Sequence, residues 1–464
     1  MKDLADRLVL VLGIGESGLA MTRWCARVGA RLRVADSRVE APLRTVLAAA
    51  VPAAEVVCGT FSEELLEGVD LVAKSPGVDS RDPLLAAAAQ RGIPVVGEMA
   101  LFATALETLD ARESTRIVAI TGTNGKSTTT ALTTALLIGA GFDATAVGNI
   151  SPAALAELCD RLEAGMTLPQ CWVLELSSFQ LEHVGDFRAD VAVVLNVSND
   201  HLDRHGDLTA YGGIKAGIYA GDGVQVINRD DARVAAMACA QRRVIRFGAT
   251  APQAGDFGIV EYAGQKWLAH GDTRLLAVSE LPIAGHHNAL NALAALALGT
   301  AVNASMQCMI DALKTFRNLP HRVEPIARRT DGVLFYDDSK GTNVGAAVAA
   351  LEGLGRPVVL IAGGDAKGQD FYPLAEAAAR HARAVVLIGQ DAPAIAAAMA
   401  QRGVPHERAE NLLAAVERAN ALAQAGDAVL LSPACASFDM FHNYIHRAEV
   451  FGTAVRTLPE VQTL

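Results

Sequence analysis

The chain alternates short apolar, β-branched runs with Ala- and Leu-rich stretches that read as helices. Runs at residues 8–12, 31–35, 55–58, 71–73 and 94–97 predict a first group of strands. A second group lies at 116–120, 172–175 and 190–196, and a third at 333–336, 357–361, 384–388 and 428–431. Between 257 and 278 short strands alternate with Gly/Asp turns, which predicts a small antiparallel insert. Strands separated by helices imply parallel, doubly wound sheets. A chain of 464 residues is also too long for one ordinary core. The expected fold is therefore α/β with three domains, at 1–102, 103–318 and 319–464. Each is built on a mostly parallel doubly wound sheet, and the central one carries the antiparallel insert. No internal repeat and no low-complexity linker is evident.

The densest chemistry follows the run at 116–120. Thr121-Gly122-Thr123-Asn124-Gly125-Lys126-Ser127-Thr128 places a glycine loop between a strand and a helix. Such a loop turns backbone N–H groups and the positive end of a helix, about half an elementary charge, toward an anion. Lys126 would pair with the β/γ-phosphates of ATP, and Ser127 or Thr128 would hold Mg²⁺. The usual phosphate-loop spacing wants a glycine where Ile120 stands, so this is a shortened variant. An ordinary glycine turn before a helix rarely carries Gly-Lys-Ser-Thr directly after an apolar strand.

Other strand ends add polar groups. Gly13-Ile-Gly15-Glu-Ser-Gly18 follows the first strand, and Asp36 ends the second. That is nominally a dinucleotide fingerprint, although the same glycines suit any nucleoside diphosphate at such a turn. Ser75-Pro76-Gly77 reads equally well as a ligand loop or a plain turn. Glu175 at a strand tip beside a phosphate loop has the position of a magnesium-holding acid. Asp200-His201-Leu202-Asp203 sits at another tip. Lys215, in Tyr211–Tyr219, reads by itself as a solvated helix lysine. Asn288 and Asn291 share a helix face; the adjacent His286 and His287 diverge and do not make a metal pair. In the last third, strand tips carry Asp337-Asp338-Ser-Lys340-Gly-Thr342-Asn343, Gly363-Gly364-Asp365-Ala-Lys367 and Ser432 through Phe438. Two lysines, two hydroxyls and glycine turns on one sheet edge could seat a small dicarboxylate. Cys435 reads as a buried small residue.

Composition narrows the partners. A formal charge of −11 argues against a general nucleic-acid binder, so an anionic substrate needs local cations or helix N-termini. Seven scattered cysteines without a CxxC fit a reducing compartment, with neither disulfides nor zinc. No signal pattern and no apolar run of ~18 residues is present, so a cytoplasmic protein without a membrane span is expected. From these residues alone an NAD-dependent oxidoreductase, read from GxGxxG and Asp36, and a nucleotide-binding switch remain alternatives. The first leaves the phosphate loop and Glu175 unexplained; the second leaves the ligand-lined tips of the third domain unexplained.

TGTNGKST, ELSSFQLE, NVSNDHLDRH, YGGIKAGIY, GHHNALNALAA, LPHRVE, DDSKGTN, GGDAKGQDF and LSPACASFDMF occur in this order. With these motifs the whole chain resembles the Mur ligases, and LSPACAS, GGDxK and the GxGxSG opening point to the branch that adds D-glutamate. The resemblance implies an ATP-dependent ligase of cytoplasmic peptidoglycan precursor synthesis that works on UDP-N-acetylmuramoyl-L-alanine and D-glutamate. It implies two Mg²⁺ ions and a monomer. Glu16, Ser17, Asp36, Ser37 and Arg38 would contact UDP, and Asn149 and His201 the muramoyl side. Residues Gly122 to Thr128, with Asn291, Arg322 and Asp338, would hold ATP. Glu175, His201 and a carbamylated Lys215 would ligate magnesium together with Ser127 and Thr128. Lys340, Thr342, Lys367, Ser437, Phe438 and Tyr444 would seat D-glutamate. Two departures bear on specificity: Ser151-Pro152 follows GNI where the family often has Gly, and Tyr444 stands where a Phe is commoner.

The loop gives a direct expectation. Lys126→Ala lowers the rate of phosphate release from ATP by ~10²-fold, the usual cost of a missing electrostatic contact at a developing phosphoryl charge. Near-normal turnover in steady-state assays would remove the loop from the mechanism.

Overall fold

The computed structural model describes residues 4–283, 285–366 and 368–464; the side chain of Asp203 is not described. Among these residues the strands form three sheets. The first runs Glu55–Cys58, Arg31–Asp36, Leu8–Leu12, Leu71–Lys74, Val95–Gly97, all parallel. Sequence order reverses at Leu8–Leu12, so a crevice opens past the carboxyl ends of the central strands. The third glycine of the fingerprint is fixed by packing: a Cβ on Gly18 would overlap the Gly13 carbonyl oxygen.

The second sheet has nine strands. Its parallel part places Arg116–Thr121 between Val191–Val194 and Cys171–Glu175, with Ala144–Gly148 at the edge. On the other side Val224–Asn228 and Val244–Phe247 extend it in parallel. The expected insert is Phe257–Tyr262, Gln265–His270 and Thr273–Ala277, an antiparallel ladder that joins the same sheet through Phe257 rather than standing apart. The third sheet has seven strands, with Val358–Gly363, Ala428–Leu431 and Leu334–Asp337 adjacent and parallel. Glu324–Arg329 and Val461–Thr463 close one edge in antiparallel pairing.

The first two sheets share a core. One buried apolar cluster runs from Val9 and Trp24 through Phe102 to Trp172 and Tyr211. The helix Glu98–Thr108 carries it across, and Phe102 meets Trp172 edge-on at 5.1 Å. Burying rings of this size stabilises the junction by ~2 kcal/mol each. The buried clusters of the third sheet draw only on residues 323–461. None of the described helices is long and apolar enough to cross a membrane.

Candidate active site

The phosphate loop leaves the strand Arg116–Thr121 at the middle of the second sheet and enters the helix Lys126–Gly139. Gly125 has φ +82° and leaves no room for a side chain, since a Cβ there would lie 2.5 Å from Asn291 Oδ1. Asn196 supports the loop from the neighbouring strand end: its Oδ1 accepts the Asn124 N–H at 2.8 Å and its Nδ2 donates to the Asn124 carbonyl at 3.1 Å. Lys126 folds back, donating from Nζ to the Gly122 and Thr123 carbonyls at 2.9 Å each. Burial lowers its pKa, with Arg322 and Lys340 adding to the shift against the pull of Glu175 and Asp200.

Lys215 departs from its reading as a lone helix lysine. It is not solvated; it is 1% exposed, lies 4.5 Å from the centroid of the Tyr211 ring, and donates to the Gly122 carbonyl at 2.9 Å. Burial, followed by the charge of Lys126, holds its pKa well below the ordinary lysine value. The helix around it, Leu208–Ala216, is rich in Gly and Ala and gives no periodic signal of its buried face.

Glu175 is 1% exposed. Its Oε1 accepts from Asn149 Nδ2 at 2.7 Å, while Oε2 has no hydrogen-bond partner among the described residues. A buried, unsatisfied carboxylate oxygen near Lys126 and the phosphate loop fits a hard divalent cation. Ser127 and Thr128 are buried on the same helix start, and His201, half-exposed, has left-handed backbone at φ +53° with Nε2 3.7 Å from Asp200 Oδ2. Asn149, read from the resemblance as a residue of the sugar side, is thus hydrogen-bonded to Glu175.

A second pocket of about 680 Å³ opens at the reversal point of the first sheet. It is lined by Gly15, Glu16, Ser17, Asp36, Ser37 and Arg38, with residues 75–79 opposite. Its acids are already engaged. Asp36 accepts the Ile14 N–H at 2.7 Å and pairs with Arg38 at 2.7 Å. The Arg38 contact, aided by those N–H groups, pulls its pKa down to about 2. Glu16 Oε1 accepts from Ser151 Oγ and the Ala153 N–H at 2.7 and 2.9 Å, and Ser17 donates to Glu98 at 2.7 Å. Glu16 therefore ties the first sheet to the second, as does Glu98, whose Oε1 accepts the Leu155 N–H at 3.2 Å.

Another such tie was missing from the sequence reading. Glu182 receives Arg204 at 2.9 Å, Lys74 at 3.4 Å and the hydroxyl of Ser80. Arg204 also donates to the Val78 carbonyl at 3.0 Å and lies over the Phe179 ring, which meets His201 edge-on.

The third sheet presents its tips to the loop. Arg322 donates to Ser127 Oγ at 2.7 Å, and Asn343 to Asn124. Asn291, Arg322 and Asp338 line one cleft with Asn124 and Thr128. Lys340 lies 5.0 Å from the centroid of the Tyr444 ring, Thr342 is half-buried, Ser437 is buried and Phe438 is 68% exposed. Lys367 lies outside the described residues. Arg447, unremarked in the sequence reading, is buried and holds two of these tips together, donating to the Ser339 and Cys435 carbonyls at 2.7 and 3.2 Å. Burial pulls its pKa down to about 10.

A phosphate loop touched by a second domain, with a nucleotide-sized pocket on a third, is the layout of a multidomain ATP-using enzyme. The chain belongs to the Mur ligase family. Residues 7–97 match the MurD-like N-terminal domain, 120–299 the Mur ligase middle domain and 321–435 the Mur ligase glutamate ligase domain. The UDP-N-acetylmuramoylalanine--D-glutamate ligase of Aromatoleum aromaticum is 61% identical over 464 residues, the whole of both chains. Its namesake in Nitrosomonas europaea is 50% identical over 98% of this chain and 97% of its own. The structure of the UDP-N-acetylmuramate-alanine ligase MurC of Thermotoga maritima matches with a TM-score of 0.61 at 20% identity, covering 97% of this chain and 99% of that one. That likeness is one of fold.

Asp338 yields a test of the site's electrostatics. It is buried, accepts from Ser432 Oγ at 2.6 Å, and burial pushes its pKa up to about 7. Unfolded, it ionises near pH ~4. Between these values the native state binds more protons, so stability falls as pH rises from about 4 to 7 and the loss is complete above that. Asp338→Asn therefore resists urea better than the wild type at pH 8, by up to ~4 kcal/mol, and equals it at pH 4. A variant less stable at pH 8 contradicts the assignment.

Proposed function

We propose that the chain joins D-glutamate to UDP-N-acetylmuramoyl-L-alanine with hydrolysis of ATP, as a cytoplasmic monomer making peptidoglycan precursors. The reading is supported by the names of relatives that match it end to end. The observation that carries it is the convergence of groups from the second and third sheets on one glycine loop, Lys126, Lys215, Arg322 and Asn343 among them. In this reading residues 1–102 bind UDP, 103–318 bind ATP and 319–464 bind the amino acid.

A carboxylate does not react with an amine because its oxygen is a poor leaving group. An L-alanyl carboxylate oxygen attacks the γ-phosphorus, ADP leaves, and an acyl phosphate forms. The neutral glutamate nitrogen then attacks the acyl carbon; the C–N bond forms, the C–O bond to phosphate breaks, and the nitrogen loses a proton. The protein's task is position and charge. Lys126 swings from its own loop carbonyls onto the phosphates. Asn291, Arg322 and Asp338 fix the nucleotide. Glu16, Ser17, Ser37, Arg38 and Asp36 frame the UDP pocket, and Asn149 and His201 face the sugar's lactyl arm. Lys340, Thr342, Lys367, Ser437, Phe438 and Tyr444 hold the amino acid. Two Mg²⁺ ions held by Glu175, His201, a carbamylated Lys215 and the Ser127/Thr128 hydroxyls would supply the charge neutralisation that lets a carboxylate approach a triphosphate.

Carbamylation suits the observed lysine. Its depressed pKa leaves a neutral amine that carbon dioxide can add to, giving an oxygen donor of negative charge. The carbamate nitrogen keeps an N–H, so its hydrogen bond to the Gly122 carbonyl survives.

Phosphate release should require ATP, the UDP-muramoyl substrate and D-glutamate together; release with NAD-type substrates, or with L-glutamate preferred, defeats the reading. Lys215→Ala should lose activity by ~10²-fold or more, and short carboxylic acids in the buffer should restore part of it. A fully active Lys215→Ala enzyme would remove the carbamate.

A further inference from the structure

Asn343 stands between the segment that carries Lys340 and Thr342 and the helix Val344–Gly353. Its Oδ1 accepts the Ala346 N–H at 2.9 Å and so caps that helix. The capping bond fixes which way the amide faces. Its Nδ2 leaves the domain: it donates to Asn124 Oδ1 at 3.0 Å, with Asp200 Oδ2 3.5 Å away. Asn124 belongs to the phosphate loop and is itself pinned by Asn196. Two residues past Asn343, a Cβ at Gly345 would come within 2.9 Å of Asn124 Nδ2, so the helix start lies close against that side chain.

One side chain thus does two things at once. It starts a helix of the third domain and it reports where a phosphate-loop side chain stands. Few residues combine both abilities. Asp caps well but cannot donate, and would face the Asp200 carboxylate. Ser caps well but is too short to reach Asn124.

We infer that Asn343 is a positioning residue that couples nucleotide binding at the phosphate loop to amino-acid binding in the third domain. A loop ordered around phosphates presents Asn124 Oδ1 where Asn343 needs it. That contact seats residues 337–343, and with them Lys340 and Thr342. By linkage, nucleotide strengthens amino-acid binding and the amino acid strengthens nucleotide binding by the same factor. The inference rests on the D-glutamate ligase reading.

The test uses the full-length chain with the UDP substrate present. D-Glutamate affinity is measured by calorimetry with and without a non-hydrolysable ATP analogue, in wild type, Asn343→Ser and Asn343→Asp. Both variants keep a capping oxygen, so the thermal midpoint should stay within about 2 °C. The wild type should bind D-glutamate about tenfold more tightly with nucleotide. In both variants that gain should vanish, with KM for D-glutamate at saturating ATP rising about tenfold, while affinity for the ATP analogue measured without D-glutamate changes less than about twofold. Asn343→Ser is decisive if Asn343→Asp fails to fold. A full nucleotide-induced gain in Asn343→Ser, in an enzyme whose wild type needs D-glutamate, overturns the coupling alone. A wild type whose phosphate release ignores D-glutamate overturns the ligase reading and the coupling with it.

Discussion

Two lysines share one oxygen. Lys126 and Lys215 both donate to the Gly122 carbonyl at 2.9 Å, so their nitrogens are no more than twice that distance apart. As two full charges they would repel by about 3 kcal/mol or more even at an effective dielectric of ~20, before any cost of burial. The arrangement is tolerable only if one of them is not a cation. Lys215, 1% exposed, is held well below the ordinary lysine value by burial and by the charge of Lys126. The unpartnered oxygen of Glu175 and the acid of Asp200 then complete a site whose charge balance asks for something further.

The rest of the molecule is arranged around keeping that loop in place. Two strand ends flank it, Asn196 stitches its backbone, and Gly125 lets Asn291 approach. The first sheet reaches the same neighbourhood indirectly, through Glu182, Arg204 and Phe179 to His201. Buried ion clusters of this kind cost desolvation and are weak evidence of stability by themselves. Here they have a geometric role, because Arg204 holds one wall of the nucleotide-sized pocket by its Val78 carbonyl.

Much of the fold was legible because its signals are local. Buried parallel strands such as Val358–Gly363 and Ala428–Leu431 are continuous apolar runs, and the phosphate loop is a contiguous word of glycines, a lysine and hydroxyls. Strands without such runs were not seen: Glu324–Arg329 has a proline and three charges, and Val461–Thr463 is a short edge piece held by pairing alone. The same division runs through the site. The strand-tip positions of Glu175 and Asp338 followed from their neighbours in sequence. The burial of Lys215, the bonds of Glu16 to Ser151 and Ala153, and the meeting of Asn343 with Asn124 depend on contacts between residues tens to hundreds apart. An asparagine just before an Ala/Val-rich helix signals a cap, but nothing local says what its second amide atom will touch.

The shared core between the first two sheets has a consequence for molecules designed to block this enzyme. That junction is welded: an apolar cluster, two carboxylate ties (Glu16 to Ser151, Glu98 to Leu155) and a buried ion group fix the distance between the nucleotide-sized pocket and the phosphate loop. Among the described residues no buried apolar cluster bridges the joint to the third sheet, which is made at the loop by polar contacts with helix packing beside them. A stiff inhibitor spanning the first joint would meet a surface already in its bound shape and lose little affinity to ordering the protein. One spanning the second would rest on polar contacts at the loop, and any freedom left at that joint would lower its affinity by the fraction of molecules in the bound arrangement.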